Sequence, residues 1–226
     1  MPVEGRWTAA QCREYARHLL RRLLPADDVA GGSRLVVALL RELSKGAPIP
    51  VDVLATELGT PEPQVRALLE QMPSIEYDDR GRVVGYGLTL RETSHAFKVG
   101  GQRLYIWCAL DALMFPAIIG RTAHVRSRCP QTGDALTLTV TPTEVLVADP
   151  AATVLSLPPL EGSGEVRASF CCHVNFFASR HAGESWRPQL PGADLISVDE
   201  GFRIGLALVD ELKPIAGRER TSLSDP

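Results

Sequence analysis

The run Val51-Asp-Val-Leu-Ala-Thr-Glu-Leu58-Gly-Thr-Pro61-Glu-Pro-Gln-Val-Arg-Ala-Leu-Leu-Glu-Gln-Met72 reads as two short helices joined by a tight turn. Apolar side chains recur at helical spacing in 51–58 and again in 62–72. Gly59-Thr60-Pro61 separates them, because glycine closes one helix and proline suits the opening of the next. Upstream, residues 33–43 are a further helical run closed by Gly46 and Pro48. Before that, residues 7–24 carry Tyr15, Leu19, Leu20, Leu23 and Leu24 at the same period, with Thr8 as N-cap and Pro25 as stop. Downstream of Pro73, residues 74–90 alternate around Asp79-Arg80-Gly81, a hairpin signal in the position of a wing. Residues 33–90 thus read as a winged-helix-like unit, and residues 1–90 as a helical N-terminal domain containing it.

From residue 91 the pattern turns to strands. His95–Val99 and 102–107 flank Gly100-Gly101, a pair that tolerates the positive φ of a two-residue hairpin turn. Residues 108–114 change to a helical period, bounded by Pro116 and Gly120. Alternation in 122–128 and 136–140 around Pro130-Gln-Thr-Gly133-Asp134 gives another hairpin, and 172–177 and 195–198 read as strands. The fold class is α+β: the helical domain followed by a mixed, largely antiparallel sheet domain with flanking helices over 91–216. Residues 161–164 are expected to be a flexible loop, and 217–226 a mobile polar tail.

Composition narrows function. The 226 residues are 45% apolar and 23% charged, ordinary for a globular protein, and 24 Lys and Arg against 27 Asp and Glu leave a formal charge of −3. Between positions 50 and 72, Asp52, Glu57, Glu62 and Glu70 face a lone base, Arg66, so a phosphate backbone would be repelled and no nucleic-acid partner is expected. The most apolar stretch, 104–120, is broken by Asp111 and Pro116 and is too short to span a bilayer, so no membrane association is expected. Glu4, Arg6 and Arg13 do not fit a secretory leader, and the odd count of five cysteines argues for free thiols, which together imply a cytoplasmic location.

Cys108 stands where a strand runs into a helix, so its sulfur would sit near unpaired amides that stabilise a thiolate. Asp111, three residues on, shares its helix face and is within reach for proton exchange. Fourteen of the seventeen residues in 104–120 are apolar. Burial there raises a carboxyl pKa, while the helix terminus lowers it. The same residues also suit a small buried core cysteine and a capping carboxylate. In Ser169-Phe-Cys171-Cys172-His173-Val-Asn-Phe-Phe177, a strand would group Cys171 with His173 and Asn175 and turn Cys172 the other way, towards packing. A one-residue offset does not aim His173 at a neighbouring sulfur. Cys129 lacks a zinc-knuckle partner, and Cys12 reads as packing. His18, His95, His124 and His181 form no ligand-spaced cluster.

Arg103-Leu-Tyr-Ile-Trp-Cys108-Ala-Leu-Asp111-Ala-Leu-Met-Phe-Pro116-Ala-Ile-Ile-Gly120-Arg-Thr and the block around Cys171 closely resemble the organomercurial (alkylmercury) lyases. The resemblance extends more loosely to about Val198 and is faint over the first ninety residues. It implies cleavage of the carbon–mercury bond of alkyl- and arylmercury compounds by protonolysis, giving a hydrocarbon and Hg(II). It further implies that Cys108 and Cys171 bind mercury, that Asp111 transfers the proton beside them, and that Cys129 is structural, with Cys172 variable. No tightly bound cofactor is implied; external thiol in excess sustains turnover, Hg(II) is the bound product, and mercuric reductase is its acceptor. Apolar Trp107, Leu110, Met114 and Phe115 would wall the site. A monomer or homodimer is expected. Competing readings are a cytoplasmic metal-responsive winged-helix regulator, which would need metal-dependent DNA binding, and a cysteine hydrolase, which would not need Cys171.

Overall fold

The computed structural model describes residues 7–160 and 165–217. The loop expected at 161–164 and the tail beyond Gly217 lie outside those residues. Helix α1 (Ala9–Leu23) opens on a reciprocal capping box, the Thr8 hydroxyl accepting from the Gln11 amide and the Gln11 side chain accepting from the Thr8 amide. Helix α2 (Val29–Leu43) starts four residues before the expected position. Asp28 caps it by accepting from the Gly31 amide at 2.8 Å, which outweighs the weak helix propensity of Gly31-Gly32. Helices α3 (Val51–Leu58) and α4 (Glu62–Gln71) flank the turn at Gly59 as the sequence requires, burying Leu54, Leu58, Val65 and Leu69.

The wing comprises β1 (Glu76–Tyr77) and β2 (Val83–Tyr86). Its turn is tied by the Asp78 carboxylate, which accepts from the amides of Arg80 and Arg82. It does not stand apart. Through β3 (Leu88–Thr89) it joins β5 (Gln102–Ile106), then β4 (His95–Val99), β6 (Ala123–Arg128), β7 (Ala135–Val140) and β8 (Val145–Asp149), in one antiparallel eight-stranded sheet of order β1-β2-β3-β5-β4-β6-β7-β8. A second sheet sets β9 (Val154–Leu157) between β10 (Phe176–Phe177) and β11 (Asp194–Ser197). Strands β8 and β9 have no counterpart in the sequence reading.

Helix α5 (Ala109–Ile119) is the centre of the molecule. Every residue from Ala109 to Pro116 is buried, as an all-round apolar helix demands. Pro116 does not bound the helix, contrary to expectation; it lies inside, and Gly120 at φ 77° ends it. A proline there forfeits one backbone hydrogen bond, a cost of about 3 kcal/mol that the packing of an entirely buried helix offsets. The long helix α8 (Val198–Gly217), absent from the sequence reading, lies against α1, α2 and α5. Its approach to α5 depends on Gly201 and Gly205: a Cβ at 201 would stand 2.8 Å from the Leu113 side chain, and one at 205 would stand 3.3 Å from the Met114 Cα. Among the described residues no helix is long and apolar enough to cross a membrane.

Candidate active site

Cys108 stands two residues beyond β5 and is the N-cap of α5, in extended conformation at φ −150°. Its sulfur accepts from the Asp111 amide, and the Asp111 carboxylate accepts from the Cys108 amide at 3.0 Å, so thiol and carboxyl complete a capping box between them. The backbone that starts the helix therefore fixes both groups face to face. Both of the alternatives open at the level of sequence are realised at once: Asp111 is a capping carboxylate and also a thiol's neighbour.

Cys171 arrives from a different part of the chain. Helix α6 (Val166–Ser169) runs into a single 3-10 turn, Cys171–His173, and only Phe176–Phe177 is strand. The strand expected over 172–177 is thus mostly absent. The chain is coiled there by amide donations from His173 to Phe170 and from Val174 to Cys171, and the Asn175 side chain caps the Cys172 carbonyl. Cys171 and His173 consequently do not share a strand face. Cys171 is buried, Cys172 is exposed and His173 is half-buried. Cys171 lines the same cavity as Cys108 and Asp111, close enough for its thiol to act on that of Cys108. The Ala109 amide donates to the Val174 carbonyl at 2.9 Å, which locks the two segments together.

Burial dominates the titration of these groups. It pushes the Cys108 thiol well above its ordinary range, reinforced by the Cys171 thiol and the nearby Asp111 carboxylate, and opposed by the Asp111 amide. Burial likewise raises the Asp111 carboxyl from 3.8 to about 7, against the pull of hydrogen bonds from the Cys108 thiol and from the Cys108 and Trp107 amides. A carboxyl that titrates near neutrality beside a protonated thiol is equipped to carry a proton in either direction.

The cavity over these groups has a volume of about 40 Å³. Trp107, Leu110, Met114 and Phe115 line it, as expected, and helices α1, α2 and α8 supply further apolar walls that the sequence reading missed, Leu19, Leu40 and Leu208 among them. The Tyr86 hydroxyl donates to the Leu23 carbonyl and Arg22 donates to Ser169, so α1 is tied across the cavity. Arg167 ion-pairs with buried Glu76 and lies 4.7 Å from the centre of the Trp107 ring, bracing the segment that carries Cys171 against the wing. Gly87 has φ 66°, and a Cβ there would stand 2.6 Å from Phe115 Cζ and 3.7 Å from Asp111 Oδ1. The left-handed backbone and the contact with Phe115 should together make Gly87→Ala less stable by about 2–4 kcal/mol, read as a lower urea midpoint at unchanged slope.

The other cysteines lie elsewhere. Cys129 closes the β6–β7 turn, donating from its amide to Asp134 and accepting from Gly133. Burial raises its thiol, but hydrogen bonds from the Thr132 hydroxyl and the Ala178, Thr132 and Gln131 amides bring it below the usual range. Cys12 is buried in α1. His95 is buried, with Nδ1 2.8 Å from the Ser127 hydroxyl, and burial lowers its pKa to about 4. Among the described residues no group of three or more His, Cys, Asp and Glu side chains is gathered as for a resident metal ion. On α4, Arg66 is engaged by Glu62 at 3.0 Å, which leaves this helix no free base for a phosphate.

Fold and site together define a winged-helix and antiparallel-sheet protein with a buried dithiol–carboxyl centre. Comparison with known proteins agrees. Residues 88–210 match the alkylmercury lyase family model, and residues 14–87 match that of the helix-turn-helix domain of alkylmercury lyase. The alkylmercury lyase of Pseudomonas putida is 45% identical over 198 residues, which is 88% of this chain and 93% of that protein. That of Streptomyces lividans is 40% identical over 201 residues, covering 87% and 94%. The crystal structure of the mercury-bound form of MerB2 superposes with a TM-score of 0.72 at 20% identity, over 90% of this chain and 99% of that one, a likeness of fold. The chain belongs to the alkylmercury lyase family.

Proposed function

We propose that Cys108 and Cys171 are the mercury ligands and Asp111 the proton carrier of the carbon–mercury lyase reaction that family membership gives this chain. The observation that carries the assignment is the gathering of three groups on one buried cavity: the Cys108 and Cys171 thiols, and the Asp111 carboxyl, titrating near neutrality and bonded to the Cys108 amide. Mercury is a soft ion and thiolates are soft ligands, so sulfur gives the strongest attachment the chain can offer. The substrate arrives as an organomercury thiolate. Exchange transfers mercury to Cys171, and the departing thiol takes that cysteine's proton. The Cys108 proton passes to the Asp111 carboxylate as the Cys108 sulfur joins the metal. Electron density pushed onto the mercury-bound carbon then takes the proton back from Asp111, the bond's electron pair stays with carbon, and the hydrocarbon leaves. Hg(II) remains on Cys108 and Cys171.

External thiols, abundant in a cytoplasmic setting, and a dithiol acceptor such as mercuric reductase would then remove the metal by exchange. The dry walls suit the organic group and hold the Asp111 carboxyl near neutrality. The test is benzene release from phenylmercury in excess thiol, read by headspace analysis of the unmodified protein; no benzene would sink the proposal. Cys172 is exposed and outside this gathering, so Cys172→Ser should keep most of the wild-type rate in the same assay. A loss as large as that of a Cys171 variant would mean the wrong member of the pair had been assigned.

A further inference from the structure

The outer face of the large sheet is basic in a chain whose formal charge is −3. Strand register sets Arg103 opposite Lys98 and Lys98 opposite His124, in a row that continues to Thr139 and Val147. The next row runs from Tyr105 through Ala96 and Arg126 to Thr137 and Asp149, with Arg128 one step beyond Arg126 on β6. Lys98, Arg103, His124, Arg126 and Arg128 are all exposed, and Asp149 is the exposed acid of these rows, at their far edge; in the other direction the Tyr105 row continues through Thr89 and Gly85 to Glu76, which is buried and paired with Arg167. Like charges directly opposite one another weaken a sheet, so the fold has no use for Lys98 facing Arg103. Among the described residues none of Lys98, Arg103, Arg126 and Arg128 has an ion-pair partner. Arg103 is held over the Tyr105 ring at 5.9 Å, and Arg128 donates to the Gly133 carbonyl.

We infer that this face docks a protein partner that presents an acidic surface with an apolar contact at its edge. Three observations select that occupant. The basic row through Lys98 and His124 runs into Val147, exposed at 50% on the edge strand β8, which gives the cation-plus-apolar make-up of a protein interface. The small Ala96, Ala135, Thr137 and Thr139 around the cations offer no aromatic platform. Single-stranded nucleic acid needs such platforms, and Tyr105 is half-buried and already engaged by Arg103. A symmetric second copy would set the cations against themselves.

The probe is a fluorescein-labelled peptide of repeating glutamate and leucine, followed by anisotropy at physiological ionic strength. A lysine–leucine peptide and a labelled thymidine oligonucleotide run beside it. Saturable binding of the acidic peptide, weakened about tenfold or more by the double substitution Lys98→Glu with Arg126→Glu and measurably by Val147→Ser, supports the docking face. Unchanged phenylmercury cleavage and thermal midpoint show that these variants are folded. The inference is overturned if the acidic peptide does not bind, if the double substitution leaves its binding unchanged, or if the oligonucleotide binds as tightly. It is equally overturned if sedimentation shows self-association that the same substitutions abolish.

Discussion

Cys108→Ser should fold as well as the wild type and release no detectable benzene from phenylmercury. The two halves of that result have separate causes. Cys108 is the N-cap of α5, and serine is a better N-cap than cysteine, its oxygen accepting from the Asp111 amide as the sulfur does. Stability should therefore hold, or rise by up to about 1 kcal/mol. The chemistry is different, because a hydroxyl is a hard, weakly acidic donor that neither joins a soft metal nor hands Asp111 a proton as a thiol does. Cys171→Ser should fail as completely, since one sulfur alone leaves the mercury-bound carbon too poor in electrons to accept a proton. With the exposed Cys172 also replaced by serine, each singly substituted protein should still take up one equivalent of phenylmercury, retained through gel filtration. Two variants that bind mercury but do not cleave it would separate attachment from bond breaking. Full activity in either would remove that cysteine from the site.

Local signals carried the fold reading as far as they reached. Thr8, Gly59, Gly100-Gly101 and Gly120 each mark a cap or turn whose chemistry is set within a few residues, and each bounds an element as read. Helix α8 escaped because the apolar residues of β11 run straight into it, and Gly201, Gly205 and Pro214 dilute its helical pattern. A signal was present in Ser197-Val-Asp-Glu200, a capping box in which the Glu200 carboxylate accepts from the Ser197 amide at 2.8 Å. Residues 171–177 misled in the opposite direction: β-favouring composition lost to short-range amide bonds. The Cys108–Asp111 pairing was legible because one helical turn contains it. The approach of Cys171 to Cys108 was not, since no local pattern measures a distance across the chain, and the resemblance of the two blocks supplied what spacing lacked.

Asp111→Asn should lower benzene release by about 10²–10⁴-fold and abolish the pH dependence that the wild type shows near neutrality. If Asp111 enters the reaction as the base that takes the Cys108 proton, wild-type kcat/KM should fall tenfold per pH unit below about 7, where the carboxylate is lost. A rate that instead falls above pH 7 would mean the carboxyl enters protonated, and the thiol proton would need another route. Stability should move with the same group. Because the folded-state carboxyl titrates at about 7 rather than 3.8, the folded protein binds a proton in this window that the unfolded chain has lost. The contribution to stability is therefore full below pH 4 and disappears as pH rises through 7, the reverse of a salt-bridged aspartate. Across that window the ionised form costs the folded state about 4 kcal/mol, and asparagine does not titrate. Urea titrations should show the Asp111→Asn variant gaining stability on the wild type as pH rises from 4 to 8. A constant difference over that range would show that Asp111 is not the buried, proton-holding group on which the reaction depends.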